Sequence, residues 1–261
     1  MSIENNTNII QRLFEAGAHF GFSKSRRHPS VAPFIFSSKN GTDIFDLEKT
    51  ADQIEEAKKT IAEAGENGKK VLFVGTKEEV QNIIKETAEK VEAPYVVNRW
   101  IGGQITNFPE IRKRIERLKE LISERESGEL ERKYTKKERV VIGREIDKLE
   151  FNFGGIKDIE KTPDLLVVVD PRHNFIAVQE ANDMNIPVIA VMSSDCDATK
   201  VQKPIMANDA LTSSVSLILS ELADAYKEGK EKYVEPPKRT NQPSRGSGNR
   251  SSRPRGSYNR R

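Results

Sequence analysis

Apolar positions along this chain follow two alternating rhythms. Short unbroken runs, "KKVLFV", "APYVV", "PDLLVVVD" and "IPVIAVM", read as strands buried on both faces. Between and after them, apolar residues recur every three or four positions. This predicts helices over "EEVQNIIKETAEKV", "HNFIAVQEANDMN" and "NDALTSSVSLILSELADAYKEG". Near the start, "TNIIQRLFEAGAHFG" predicts a short helix with Ile9, Ile10, Leu13 and Phe14 on one face and Gly21 ending the run. "PFIFSSKNGTDIFD" predicts a hairpin turning at Asn40-Gly41, because both positions of a type I′ turn need positive φ. Asp46 is a candidate cap for a helix from Leu47 to about Ala64, with Ile54, Ala57, Lys58 and Ile61 setting its inner stripe. Strands alternating with helices in this way predict an α/β domain with a doubly wound parallel sheet.

Residues 107–154 interrupt the alternation. Phe108, Ile111, Ile115, Leu118 and Ile122 are spaced 3, 4, 3, 4, and Ile142, Ile146, Leu149 and Phe153 are spaced 4, 3, 4. Both runs are heptad seams, separated by "SGELERKYTKKE", which is polar and charged. They predict an antiparallel coiled-coil hairpin, about 25–30 Å long, protruding from the sheet domain. The expected organisation is therefore an α/β domain over 1–106 and 155–234, the hairpin over 107–154, and a tail over 235–261. That tail is Pro, Gly, Ser, Asn and Arg with Tyr258 its one aromatic, and is expected to be disordered in isolation.

Charge sharpens this division. The whole chain carries +3, but the tail holds eight Lys/Arg against Glu235, a local net of +7 that leaves −4 on residues 1–234. The basic character thus belongs to the tail and not to the fold. Cys196 is the single cysteine, so no internal disulfide forms, and a reducing, cytoplasmic setting is expected. "MSIENNTNII" lacks a basic and then apolar leader, and no apolar run approaches membrane length, so neither secretion nor membrane insertion is expected.

Catalytic signatures are sparse. After "VLFV" comes "GTKEEV", with one glycine where a dinucleotide fold has three and without the Gly-Lys-Ser/Thr of a phosphate loop. Asp170, at a strand end before Pro171, reads as a turn former or cap more readily than as a ligand group. His19, His28 and His173 lie in separate segments without metal-ligand spacing, and Ser193-Ser194-Asp195-Cys196 lacks a nucleophile elbow. Glu78 and Glu79 suit the start of a helix. No metal, cofactor or small-molecule substrate is expected. The alternative, a nucleotide-binding α/β enzyme without its fingerprint, rests on the fold class alone.

Cationic groups point elsewhere. "SKSRRHP" gathers Lys24, Arg26, Arg27 and His28 in a loop with no acid beside them in sequence. "EIRKRIERLK" places Arg112, Lys113, Arg114 and Arg117 on the outer faces of the first hairpin helix, although intrahelical pairing with glutamates would explain much of that pattern. Arg99, Trp100 and Asn107 flank Gly102-Gly103 in "RWIGGQITNF", where the two glycines would let the chain turn sharply from sheet to hairpin. Lys238, Arg239, Arg245, Arg250, Arg253 and Arg255 are spread along the tail. Such groups supply phosphate contacts and base stacking, and all of these are candidate RNA-binding residues.

Several ordered motifs together resemble one family, the bacterial small-subunit ribosomal protein S2 family. They are "EAGAHFG", "FVGTK", "PYVVNRWIGGQITNF", "FGGIKDIEKTPDLLVVVDPR", "IPVIAVMSSDCD" and "PIMANDA", spanning roughly residues 9 to 228. The resemblance implies a flavodoxin-like α/β domain with an inserted coiled-coil hairpin. It implies a non-enzymatic structural constituent of the small (30S) subunit that binds 16S-type ribosomal RNA near the junction of head and body. It also implies neighbouring small-subunit proteins as partners, among them the large multi-OB-domain protein that captures messenger RNA. The chain departs from the family pattern at Phe22 (usually His), at Arg27 (usually Trp), at Ser193, Ser194 and Asp195 (usually Asp-Thr-Asn), and at Met206 and Ala207 (usually Pro-Gly). Residues 235–261 lie outside the resemblance.

Overall fold

In the computed structural model, residues 2–233 are described, with side chains from residue 8 onward. Five parallel strands form the central sheet: β4 (Val71–Val74), β5 (Tyr95–Val96), β6 (Leu165–Val169), β7 (Val188–Met192) and β8 (Lys203–Met206). Their order, β5-β4-β6-β7-β8, reverses once, between β4 and β6. This is the doubly wound order of flavodoxin-like sheets, and it opens a crevice at the carboxyl ends of β4 and β6.

Strand side chains alternate between two cores. Val71, Phe73, Leu165, Val167, Val169, Ile189, Val191 and Ile205 face one side, where they meet α1 (Ser2–Glu15), α2 (Leu47–Glu66), α3 (Glu78–Lys90) and α8 (Thr212–Lys232). Leu72, Val74, Leu166, Val168, Val188, Ala190, Met192 and Met206 face the other, with α4 (Phe108–Glu126), α6 (Lys136–Phe153) and α7 (Phe175–Asp183). Burial on both faces is why these strands read as unbroken apolar runs and not as alternation.

A second, antiparallel sheet has the order β1-β3-β2, from β1 (Phe20–Ser23), β2 (Ile35–Lys39) and β3 (Thr42–Phe45). The expected hairpin is β2–β3, and Asn40 and Gly41 both take positive φ, 52° and 80°. Asp46 caps α2, accepting from the Glu48 amide at 3.2 Å. Ile54, Ala57 and Ile61 are buried as expected, whereas Lys58 stays half-buried and is paired to Glu221 and Glu55.

The first helix ends earlier than its pattern suggests. Gly17, not Gly21, stops it: φ is +71°, with Gly17 N–H donating to Phe14 O and Ala18 N–H to Leu13 O. That pairing closes a helix with a left-handed residue and turns the chain into β1. Phe14, expected on the inner face, is 60% exposed and stacks on His19 with centroids 4.6 Å apart.

Two further differences concern residues 107–154. The charged connection contains a short helix, α5 (Glu129–Lys133), which buries Leu130. On α4 the fully buried residue after Leu118 is Leu121, not Ile122, which is only partly buried. The step from Leu118 to Leu121 is three residues where the heptad spacing has four, so the buried side of α4 turns away from the strict seam at that end. The seam residues of α4 and α6 also join the same core as Leu72, Val74, Leu166 and Val168 of the sheet, so the helical pair is rooted in the sheet.

Helices α2 and α8 cross closely at Gly65 and Gly229. A Cβ on Gly229 would collide with the Ala62 carbonyl oxygen, which is backbone and cannot swing away. Alanine is the better helix former by about 1 kcal/mol, yet overpacking against backbone costs about 3 kcal/mol, the upper end of the usual range. Gly229→Ala is therefore expected to lower the thermal unfolding midpoint; a raised midpoint would show that the helices separate freely.

Candidate RNA-binding surface

The cationic loop is built from two short 3-10 turns, Lys24–Arg26 and Pro29–Phe34, on the end of β1. Lys24 and Arg26 are exposed and have no acidic partner among the described residues. Arg27 and His28 are different, which corrects the expectation of four uncommitted groups. Arg27 Nε lies 3.5 Å from Oδ2 of the fully buried Asp43. That is a charge contact at a length where little hydrogen bonding remains. The His28 amide donates to Ser194 O at 2.8 Å, while its ring Nδ1 pairs with Ser30 Oγ at 2.7 Å and caps the next turn. Two of the four side chains thus fasten the loop and two face solvent.

The glycine corner is organised by a residue that the sequence reading missed. Glu180, on the inner face of α7 between Ala177 and Ala181, is 6% exposed. Its Oε1 accepts from Trp100 Nε1 at 3.1 Å and from the Gly103 amide at 2.8 Å. Its Oε2 accepts from the amides of Ile105 and Thr106 and from the Thr106 hydroxyl, at 3.0, 3.2 and 3.1 Å. Burial alone would raise this carboxyl's pKa. The Ile105 and Gly103 amides, the indole and the Thr106 amide outweigh it and hold the pKa below the usual glutamate value. The corner is a cradle of N–H donors with its anion built in.

Trp100 is accordingly a core residue, 7% exposed, with its polar edge committed to Glu180; no ring face is open for a base. Gly103 takes φ +88°, which a side chain resists. Gly102 does not share this role: its φ is ordinary for any residue and a Cβ there would meet nothing. Arg99 and Asn107 are exposed on either side of the corner.

On α4 the expected cations are largely spent on neighbours. Arg112 reaches Glu116 at 3.0 Å, Lys113 reaches Glu110 at 2.6 Å, and Arg117 lies 3.7 and 3.8 Å from Glu120 and Glu145. Arg114 has no acidic partner among the described residues. Lys238, Arg239, Arg245, Arg250, Arg253 and Arg255 lie outside the described residues.

The sheet crevice, where an α/β protein would take a ligand, is filled from within. Lys77 Nζ lies 2.5 Å from Asp170 Oδ2 and 3.4 Å from Asp209 Oδ2. Thr76 donates to Asn174 at 2.9 Å across the same gap. Asp170 has φ +58° and its Oδ1 accepts from the Arg172 and His173 amides, the turn-forming role expected of it. Burial pushes the Asp209 carboxyl up to about 7, with Asp170 adding to the rise and Lys77 opposing it. Donor atoms of Asp170, Cys196 and Asp209 lie within 4.8 Å of one another, close enough to share a cation. The Lys77 ammonium already holds both carboxylates, and burial pushes the Cys196 thiol well above its usual range, which disfavours the thiolate a metal needs.

The Ribosomal protein S2 family model matches residues 13–229. The chain belongs to the ribosomal protein S2 family. Relatives bear it out over most of their length. The small ribosomal subunit protein uS2 of Picosynechococcus sp. is 44% identical over 85% of this chain and 86% of its own. The uS2 proteins of Coprothermobacter proteolyticus and Fusobacterium nucleatum are each 44% identical, covering 85% and 87% of this chain and 82% and 93% of theirs. The motifs quoted from the sequence therefore mark an S2-family scaffold, and the family is a structural one, not an enzyme family. No helix among the described residues is long and apolar enough to cross a membrane.

Proposed function

We propose that this protein is built into the small ribosomal subunit through cations displayed at the edges of its α/β domain, where it binds 16S-type ribosomal RNA near the head–body junction. Its family membership over residues 13–229 carries this reading. The protein is a structural constituent of that subunit. Lys24, Arg26, Arg99 and Arg114 are exposed and have no acidic partner among the described residues, so they meet phosphates without first breaking an internal pair. Arg117 and Glu145 lie equally far from the connection between α4 and α6, a pairing that supports an antiparallel coiled-coil arm. The arm extends the basic surface beyond the sheet domain, and residues 235–261 contribute eight further Lys/Arg. The assembled protein stands beside other small-subunit proteins in the cytoplasm and helps recruit the multi-OB-domain protein that holds messenger RNA.

Reconstitution tests the reading. Full-length protein is expected to co-sediment one-to-one with small-subunit particles that lack it; failure to do so would sink the reading. Lys24→Ala with Arg26→Ala should weaken association several-fold and lower the log–log salt slope by about two. Arg27→Ala should act through stability instead, because it strips the buried Asp43 of its counter-charge.

A further inference from the structure

The outward face of α6 carries a stripe that the expected RNA-binding residues do not include. Lys137, Val140, Val141, Arg144, Lys148 and Phe151 fall within an arc of about 100° on a 3.6-residue helix. Ile142, Ile146, Leu149 and Phe153 occupy the opposite side and are buried against the core. The stripe runs roughly 21 Å at 1.5 Å per residue. No acidic residue falls inside the arc: Glu145, Asp147 and Glu138 all lie to its sides.

Two observations separate this face from the rest of the helical pair. First, Lys137, Arg144 and Lys148 form no ion pair among the described residues, whereas Arg112, Lys113, Arg117 and Lys119 of α4 are all within reach of a carboxylate. Second, the apolar members lie open to solvent, Val140 at 52%, Val141 at 58% and Phe151 at 57%. Solvated helix faces interleave both signs of charge and carry few large apolar groups. A face with only positive charge and three bare apolar side chains is unfinished in the isolated protein.

We infer that this α6 stripe, and not the ion-paired cations Arg112, Lys113 and Arg117 of α4, is the main RNA-facing side of the helical pair. The inference rests on the proposed placement in the small subunit. Ribosomal RNA is the occupant that the charge pattern fits: phosphates meet Lys137, Arg144 and Lys148, and riboses or exposed base edges lie over Val140, Val141 and Phe151. On α4 a phosphate contact through Arg112, Lys113 or Arg117 would first have to displace a glutamate, which removes most of its gain. That leaves Arg114 and Arg125 as the cations there without an ion pair among the described residues. On α6 nothing need be displaced.

Two triple variants of the full chain decide the matter. One is Lys137→Gln, Arg144→Gln and Lys148→Gln; the other is Arg112→Gln, Lys113→Gln and Arg117→Gln. Glutamine keeps length and helix propensity, and circular dichroism checks that helicity is unchanged. Binding is measured to protein-free 16S-type RNA and to particles lacking this protein, across a salt series. The α6 triple is expected to weaken RNA binding more than tenfold near 0.1 M salt and to lower the log–log slope by about 2 to 3. Lysine-to-arginine exchange at 137 and 148 should keep wild-type binding. The α4 triple should stay within about twofold of wild type. Equal loss in both triples, or no loss in the α6 triple while wild type binds, overturns the inference and leaves the placement intact. Loss in the α6 triple on particles but not on bare RNA would assign the stripe to a protein neighbour, and so overturns it too. A wild-type chain that binds neither RNA nor particles overturns the placement and the inference together.

Discussion

Glu180→Ala is expected to destabilise the protein by about 3–5 kcal/mol and to loosen the entry into α4. Four buried or half-buried N–H groups and one hydroxyl converge on this carboxylate. Alanine leaves them unsatisfied, and each unpaired buried donor costs about 1–3 kcal/mol, reduced where water can enter. Glu180→Gln is a sharper probe. It keeps the volume but lacks the charge, and its amide offers one acceptor oxygen where two are needed. It should recover only part of the loss. The pH dependence follows from the sign of the shift. Glu180 titrates below its ordinary value in the folded protein, so its stabilisation is complete above the unfolded pKa near 4.3 and is lost as pH falls through the folded one. Wild type should therefore lose stability below about pH 4 more steeply than Glu180→Gln. Urea unfolding at pH 7 and pH 3.5 measures both claims. Parallel losses in the two proteins would mean that the cradle holds a neutral acid.

The same corner shows where sequence reading stops. The central strands were legible because burial on both faces leaves an unbroken apolar run, and their ends carry turn formers such as Gly75 and Asp170. β8 was not legible. Lys203 and Pro204 stand in half of it, and only Ile205 and Met206 are buried. β1 was hidden for a related reason: "FGFS" buries neither face, and its pairing with β3 depends on residues two dozen positions away. The candidate site divides along the same line. That Lys24 to His28 are cationic is local information. That Arg27 faces Asp43, and that His28 is tied to Ser194 from another strand end, is not. Trp100 looked like a stacking residue because an isolated Trp beside Arg and Gly-Gly gives no hint of a carboxylate eighty residues on. One signal was available: Glu180 sits on the apolar side of α7, where a charge must find partners.

Lys77→Met is the second substitution expected to cost heavily, about 3–5 kcal/mol at pH 8. Its ammonium is the counter-charge that Asp170 and Asp209 share in the closed crevice. Burial lowers the lysine's pKa, but Asp209 and Asp170 together outweigh this and hold it above the ordinary value. Removing one partner of a buried charge pair leaves the other desolvated and uncompensated, which is far worse than never having had the pair. Asp209 gives the loss its pH profile. Its folded pKa, about 7, lies above the unfolded value near 3.9, so its contribution is complete below the unfolded value and disappears as pH rises through 7. At pH 5 Asp209 is protonated and needs no counter-ion; at pH 8 it is charged and does. The Lys77→Met deficit should therefore be markedly smaller at pH 5 than at pH 8. Adding Asp209→Asn should restore much of the stability at pH 8 and little at pH 5, because asparagine mimics the protonated acid. Thermal unfolding of the single and double variants at both values tests this. A deficit independent of pH, or an Asp209→Asn change that restores nothing, would show that Lys77 contributes packing and that the crevice carries no trapped charge.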